Sequence, residues 1–290
     1  MTARPAGAMV SRLLLLPALL LVGLLVWALV LIGEDSLHKL NIATYRLDEA
    51  YSAHNYLLVL ARPVYQTVLL RSLGASVLVT VSTLVLAFPY AYVMVRTPSK
   101  LLRKLLLVSL FLPFFIGQVV RAYGWLIILG QQGIINQALA AAGLAPVELI
   151  YNYPAVLFGL VQYMLPFAVL MLAPAITAIP EEVELASESL GARWISTFRH
   201  VVLPMARPGL IGASVVVFTL TLTDFATPEI LGGGGNDFIA NAIYDSFFQL
   251  NDPGLGAALA MLLVSIGSIL VAVIFRMFGA GTLGFERQTT

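Results

Sequence analysis

The 290-residue sequence contains no cysteine and only three histidines, and charged residues make up just 11% of it. Without cysteine, the chain forms no disulfide and no thiolate metal site. The histidines stand far apart in sequence, so no metal site is predicted. Sixteen basic residues against fifteen acidic ones also exclude the strong positive charge typical of nucleic-acid-binding proteins. Hydrophobic residues make up 60% of the sequence, which indicates that membrane lipid surrounds most of the chain.

Long apolar runs divide the sequence into six predicted transmembrane helices, because a helix needs about 20 apolar residues to cross a bilayer. The first run, residues 13–33, follows Arg4 and Arg12 and ends at Glu34. It is longer than the apolar region of about 7–15 residues in a cleaved signal peptide, so we interpret it as a membrane anchor. The other five spans are predicted at residues 72–95, 105–129, 153–179, 209–231 and 254–275.

The distribution of Lys and Arg predicts the direction of these spans, because cytoplasmic connections are enriched in both residues. Eleven of the sixteen lie at the N-terminus, in residues 96–104 and 180–208, and in the C-terminal tail. We therefore predict that both termini are cytoplasmic. The expected organisation is a cytoplasmic N-terminus (1–12), a first transmembrane helix (13–33), an external loop (34–71), a core transmembrane domain (72–279) with a cytoplasmic segment at 180–208, and a cytoplasmic tail (280–290).

The segment 180–208 is predicted to form two short helices. Pro180 suits the start of a helix, Glu181 and Glu182 complement its positive end, and Gly191 is a favourable left-handed stop. After this stop, helical spacing predicts an apolar ridge on one face. From the pattern alone, an amphipathic connector lying on the membrane surface is an equal alternative. The ridge consists of Leu190, Trp194, Phe198 and Val201.

The same segment resembles the cytoplasmic signature of permease subunits of binding-protein-dependent ABC importers. Gly191, then nine residues, Val201, and Leu203-Pro204 match its second part in spacing. The first part is usually Glu-Ala-Ala. Here those positions hold Leu185, Ala186 and Ser187, with Glu184 one place early and Glu188 one turn on. The resemblance implies a coupling helix that docks in a groove of a cytoplasmic ATPase, with Glu184, Ala186, Ser187, Glu188, Gly191, Leu203 and Pro204 as coupling residues.

Other motifs resemble the spermidine and putrescine type of permease, namely residues 218–235, Leu112-Pro-Phe-Phe and Arg121-Ala-Tyr-Gly-Trp125. The resemblance implies an all-α membrane protein with the type I ABC importer permease (MetI-like) architecture, in the bacterial cytoplasmic (inner) membrane. It further implies import of a polyamine or related amine. The implied partners are a cytoplasmic ABC ATPase dimer, a second permease subunit and an external substrate-binding protein. ATP is used by the ATPase, and this chain is expected to bind no cofactor.

Asp224 lies in an otherwise apolar predicted span, where a carboxylate at the bilayer centre costs about 2.5–3.5 kcal/mol on insertion scales. Thr221 and Thr227 would share its helical face. Three roles are open for Asp224: a hydrogen-bonded structural residue, a contact for a cationic substrate, or a gate or contact between subunits. Glu229 completes the candidate substrate path, with a solvated helix end as its alternative.

Two other functions compete with that of an importer permease. An ion-gradient-driven secondary transporter is expected to carry inverted repeats, and none is convincing in this sequence. A membrane-embedded enzyme needs paired acids, a His and Asp set or metal ligands at membrane depth, whereas Asp224 is the one acid clearly inside a predicted span. No Gly-x-x-x-x-Gly-Lys-Ser/Thr motif occurs. We therefore predict a transport subunit and not an enzyme, with nucleotide hydrolysis on another polypeptide.

Overall fold

The computed structural model describes the backbone of residues 5–278 and the side chains of residues 15–276, and most of these residues are helical. Four helices are long and apolar enough to cross a membrane: α1 (Pro5–Asp35), α3 (Pro63–Arg96), α7 (Tyr153–Thr177) and α14 (Pro253–Phe278). The shorter elements are β1 (His38–Asn41), β2 (Arg46–Tyr51), α2 (His54–Ala61), α4 (Lys100–Phe111), α5 (Gln118–Leu129), α6 (Ile134–Ala141), α8 (Glu181–Ser189), α9 (Trp194–Thr197), α10 (Leu203–Met205), α11 (Arg207–Leu222), α12 (Ala226–Gly232) and α13 (Ile239–Phe248).

Two bent helix pairs raise the number of spans to six if each pair crosses the membrane as one unit. The first pair joins Lys100–Phe115 to Gln118–Ala141 at an angle of 101°, and the second joins Trp194–Met205 to Arg207–Leu222 at 71°. The prediction of an all-α membrane protein with about six spans is therefore confirmed.

The first bend divides the predicted span over residues 105–129. A 3-10 turn at Leu112–Phe115 follows α4, and Gly117 then precedes α5 with an extended backbone. Pro113 in that turn has no N–H with which to continue the helical hydrogen bonds. Arg121 donates from its Nη2 to the carbonyl oxygens of Pro113 and Ile116, the second over 3.0 Å. A side chain thus satisfies the carbonyls that the bend leaves open.

The predicted span over residues 209–231 is also interrupted, because α11 ends at Leu222 and α12 begins at Ala226. Pro228 has no N–H to donate to the carbonyl of Asp224, and its ring crowds that carbonyl. The Asp224 side chain instead accepts a hydrogen bond from the backbone N–H of Thr227 over 2.9 Å. The expectation that Thr221, Asp224 and Thr227 share one helical face is therefore wrong, since two separate helices carry the threonines.

The chain divides into two compact units, of which the first comprises the residues up to Pro63 together with Ala242–Val264. In it, β1 and β2 form an antiparallel hairpin with Leu40 opposite Leu47. Asn55 in α2 donates hydrogen bonds to the carbonyls of Ser36 (3.1 Å) and His38 (2.9 Å) and so secures the hairpin. The predicted loop at 34–71 is thus a folded segment that also includes the start of α3. Strands of four and six residues are too short to reveal their alternation in the sequence.

The second unit comprises Val64–Asn241 and the described residues from Ser265 onward. Its core lies around α7, which packs extensively against α11. The two backbones approach closely at Gly209, where a Cβ atom would collide with the Cβ of Ala175 and lie 3.2 Å from the Met171 carbonyl oxygen. A small residue at such a crossing allows close helix packing within a membrane. The core side chains of α7 are Val156, Leu160, Met164, Val169, Leu172 and Ile176.

Candidate functional site

The segment 180–208, called the coupling segment below, begins with the short helix α8. Glu181 and Glu182 lie in its first turn, and the helix ends at Ser189. Gly191 follows with a left-handed backbone (φ +84°), and its N–H bonds to the carbonyl of Glu188 over 2.8 Å. Such a glycine ends a helix without the strain that a side chain would add. Both the helix and its stop lie where the sequence predicts them.

Glu184 in α8 points into the protein and is only 8% exposed. Its carboxylate accepts hydrogen bonds from the Tyr92 hydroxyl (2.6 Å) and from Nε (2.9 Å) and Nη2 (2.6 Å) of Arg96. Arg96 also donates to the carbonyl of Ile179 over 2.7 Å. Hydrogen bonds between charged groups are about twice as strong as neutral ones. These three side chains, called the Tyr92–Arg96–Glu184 latch below, fix α8 to the end of α3.

The second helix of the coupling segment is held against α3 by aromatic rings. Phe198 lies 5.1 Å from Phe88 and 5.6 Å from Tyr92, and it stacks on Trp194 at 5.4 Å. The predicted outward ridge of Leu190, Trp194, Phe198 and Val201 is therefore wrong in part, since Phe198 faces inward. Residues 198–202 form a π-helical turn, which shifts the register of the side chains that follow.

The most exposed apolar side chains of this segment are Leu185, Leu190 and Ile195, at 60%, 89% and 70%, and Trp194 of the predicted ridge follows at 53%. Apolar exposure of this extent, on two helices that α3 holds in place, is typical of a surface that binds another protein.

The other predicted coupling residues divide between the surface and the interior of the segment. Ala186 and Glu188 are exposed on α8. The Ser187 hydroxyl lies 3.0 Å from that of Thr197 and so joins α8 to α9. Leu203 and Pro204 are partly buried and line an apolar groove. The predicted set is therefore not one continuous surface.

Asp224 is only 6% exposed and lies in the break between α11 and α12. Besides the Thr227 N–H, its carboxylate accepts a hydrogen bond from the Gln118 amide. The hydroxyl of Thr221 is buried without a hydrogen-bond partner among the described residues. Glu229 is exposed and accepts a hydrogen bond from Asn241 over 2.9 Å. The four predicted path residues are therefore not brought together around one point.

The prediction omitted Gln118, which donates to the Asp224 carboxylate, and the side chains that share a cleft with Gln118. Gln118, Arg121 and Tyr163 line a small cleft together with Thr227. The Arg121 guanidinium lies over the Tyr163 ring, 5.1 Å from its centre, which is a favourable cation–π arrangement. We call Gln118, Arg121, Tyr163 and Asp224 the polar cluster. The i, i+3 spacing of Gln118 and Arg121 within an apolar run is the signal that could have identified it.

Trp125 also belongs to this region. Its ring packs 4.7 Å from that of Phe158, and its Nε1 donates to the Gln162 side-chain oxygen over 3.4 Å. Among the described residues, no three His, Asp or Glu side chains come close enough to hold a metal ion. The region is therefore polar and aromatic, with one guanidinium and one carboxylate.

Comparison with known proteins relates the chain to membrane transport. Residues 8–281 match the family described as "Binding-protein-dependent transport system inner membrane component". The chain is 30% identical over 250 residues to the spermidine/putrescine transport system permease protein PotB of Escherichia coli (strain K12). That alignment covers 86% of this chain and 90% of PotB.

Solved structures extend the similarity to the fold. A chain of a bacterial alginate ABC transporter, in complex with its pentasaccharide-bound periplasmic protein, matches with a TM-score of 0.75 at 18% identity and covers 93% of this chain and 96% of that one. A chain of the MetNI methionine ABC transporter, in an inward-facing conformation, matches with a TM-score of 0.53 at 18% identity, covering 75% and 96% of the two chains. The predicted type I importer permease architecture is therefore confirmed.

The Tyr92–Arg96–Glu184 latch predicts a specific instability. Glu184→Ala removes the nearer of two carboxylates from Arg96, whose side chain is 14% exposed, and leaves only Glu181 at 3.7 Å. Breaking a fully buried ion pair from one side costs about 3–5 kcal/mol, and the exposed Glu181 keeps the expected loss below that range. We expect the coupling segment to detach from α3 and become sensitive to protease in purified permease, while the transmembrane helices stay folded. Glu182→Ala is the matched control, because Glu182 is exposed on the same helix and its removal should change stability by less than about 0.5 kcal/mol.

The exchange Arg96→Glu with Glu184→Arg should restore part of the protection, because it returns opposite charges to the two positions. Equal protease sensitivity of the Glu184→Ala and Glu182→Ala proteins would show that the latch does not hold the segment.

Proposed function

Because the chain belongs to the family of inner-membrane components of binding-protein-dependent transport systems, and is thus an ABC importer permease subunit, we propose that it imports a polyamine or related amine. It is a multi-pass inner-membrane protein and a transport subunit, not an enzyme. Membership of this family replaces the alternatives of a secondary transporter and a membrane-embedded enzyme. The 30% identity to PotB over most of both chains is the observation that supports an amine as the cargo.

In this proposal, two permease subunits form the translocation path, and an external binding protein delivers the cargo to it. A separate ATPase dimer supplies the energy, since the 290 residues contain no P-loop motif. The exposed apolar side chains Leu185, Leu190 and Ile195, with Ala186 and Glu188 beside them, form the surface on which we propose the ATPase docks. Glu184 bonds to α3 and Ser187 to α9, and these contacts hold the surface in position. Gly191 ends the helix α8.

We propose that both termini are cytoplasmic. Two contacts within the second unit support this orientation. Arg96, beside the Lys- and Arg-rich segment 96–104, bonds to the coupling segment, so these two basic connections lie at the same end. At the other end of α3, Arg71 donates to the carbonyl of Gly235 over 3.0 Å, which joins two segments predicted to be external. An external signal from a reporter fused at residue 195 would contradict the orientation.

The polar cluster is the proposed point where cargo passes this chain. Asp224 supplies a carboxylate that is suited to an ammonium group, and Tyr163 supplies an aromatic face for the same cation. Thr221 and Thr227 lie on the helices on either side of Asp224, whereas Glu229 lies farther along α12 and accepts a hydrogen bond from Asn241, so these three predicted path residues are not members of the cluster. Thr227 also fixes the Asp224 carboxylate through its backbone N–H, so Asp224 both holds the helix break together and provides negative charge.

Arg121 favours a second candidate, in which the cargo carries an anionic group as well as, or instead of, an amine. Its Nε atom is buried without a hydrogen-bond partner in the described part of the chain, and a planar guanidinium suits a carboxylate or an oxyanion. Its Nη2 atom is occupied by the bend between α4 and α5, so Arg121 also has a structural role. An amine cargo would need the negative charge of Asp224, whereas an anionic cargo would need the positive charge of Arg121.

The central experiment is uptake by the complete complex, purified with its co-expressed permease, ATPase and binding protein, in proteoliposomes. We expect saturable uptake of labelled spermidine or putrescine that needs ATP on the ATPase side and binding protein on the other. ATPase activity measured in parallel should rise when loaded binding protein is added. Uptake driven by an ion gradient without ATP would contradict the mechanism, and coupled ATP hydrolysis without uptake of any amine would contradict the cargo.

Charge-removing substitutions in the polar cluster distinguish the two cargo classes. With an amine cargo, Asp224→Asn should lower uptake about tenfold or more, because it removes the charge but keeps the shape. Arg121→Gln, which also loses the hydrogen bonds to the carbonyls of Pro113 and Ile116, should then lower uptake no further than it lowers complex yield. With an anionic cargo, Arg121→Gln should lower uptake more than Asp224→Asn does. Complex yield and basal ATPase activity are the controls, and Thr221→Ser is the conservative companion variant. Normal uptake by the Asn variant at normal yield would assign Asp224 to the helix break alone.

A further inference from the structure

A groove of about 980 Å³ lies in the second unit, between α3, α11 and the last turns of α14. Its size is near the upper end of small-molecule sites, which are about 300–1,000 Å³. Two hydroxyl groups on its wall are already used, since Thr80 donates to the carbonyl of Ser76 (2.6 Å) and Ser214 to that of Leu210 (2.7 Å). The rest of the wall is mainly apolar and includes Val77, Val81, Leu210, Phe218, Leu270 and Ile274.

Arg199 and Arg207 line the same groove, one on each side of the 71° bend between Trp194–Met205 and Arg207–Leu222. Both side chains are exposed. Within residues 15–276, neither guanidinium has a hydrogen-bond or ion-pair partner, and no Asp or Glu lines the groove. The groove therefore combines a long apolar wall with two uncompensated positive charges, which lie on the coupling segment and at the start of α11.

We propose that this groove binds one anionic phospholipid, with its acyl chains along α3, α11 and α14 and its phosphate between Arg199 and Arg207. Basic pockets between transmembrane helices on the cytoplasmic side bind anionic head groups, and a guanidinium matches phosphate oxygens in bidentate geometry. An apolar helix of another subunit would cover the wall but leave both charges without a partner. Charge complementarity therefore favours the lipid as the occupant.

The bound lipid would contact Leu203 and Pro204 of the coupling segment, which line the same groove. Its binding would stabilise the bend through which the coupling segment joins α11. The inference does not depend on which cargo is transported, and it uses the proposed orientation only to assign the lipid to the cytoplasmic leaflet.

The test measures phosphatidylglycerol binding to the purified complex in nanodiscs of phosphatidylcholine, by native mass spectrometry after release into detergent. The double variant Arg199→Gln with Arg207→Gln should bind phosphatidylglycerol roughly 25-fold more weakly, about fivefold for each cation removed. The matched control, Arg193→Gln with Lys104→Gln, removes the same charge from two exposed residues outside the groove and should bind like wild type. Arg199→Lys with Arg207→Lys should retain most of the binding, which separates loss of charge from misfolding.

Equal binding by the double variant and its control would overturn the proposal. Displacement of the lipid by inorganic phosphate would also overturn it, since the site would then recognise a free anion. Because this chain has no cysteine, Val81→Cys provides its single labelling site. In a complex whose other subunits carry no cysteine, a fluorophore there reports on the groove, and brominated phosphatidylglycerol should quench it. Cross-linking of the unlabelled cysteine to the second permease subunit, together with no quenching of the labelled protein, would identify a subunit interface instead.

Discussion

Backbone amides and carbonyls cannot be left without hydrogen bonds in lipid, and both helix breaks of the second unit depend on this constraint. At the first break, Arg121 donates to the carbonyls exposed around Pro113. At the second break, Asp224 accepts the Thr227 N–H, and Asn241 donates to the Phe225 carbonyl over 3.2 Å. The polar side chains that hydrogen-bond to the open backbone groups at the two breaks therefore lie next to each other. The polar cluster exists because two adjacent helices are interrupted at a similar depth in the fold.

The departure of this chain from the usual Glu-Ala-Ala signature has a geometric meaning. Moving a residue by one position rotates its side chain by about 100° around a helix. Glu184, one place early, therefore points toward α3 and bonds to Tyr92 and Arg96. Leu185, one residue later, points away from α3 and is exposed. The acidic residue holds the helix in position, and an apolar residue is presented on the surface. The signature looks degenerate in sequence, but the structure assigns the buried acidic position to Glu184 and the exposed position to Leu185.

Features set by local pattern could be predicted from the sequence, and features set by distant contacts could not. The apolar runs predicted the long helices, and the glycine stop predicted the end of α8. Tyr92 and Arg96 gave no such signal, because their partner Glu184 lies 88 to 92 positions away. Hydropathy averaged over a window is insensitive to a single proline such as Pro113 or Pro228, so neither helix break was predicted. Asp224 was identified because a lone acid in an apolar run is conspicuous, whereas its neighbour Gln118 is uncharged and was not.

The α3 helix runs without interruption from Arg71 to Arg96, and each arginine is bonded to a different part of the chain. Arg71 holds the carbonyls of Gly235 and Asp237, and Arg96 holds the coupling segment. At 1.5 Å per residue, the two attachment points are about 38 Å apart along one helix. A hydrogen-bonded helix resists stretching, so α3 keeps the two attachment points at a nearly constant separation, although Pro89 between them donates no helical hydrogen bond. The α3 helix therefore links the segment at residues 235–237 to the coupling segment as one stiff element.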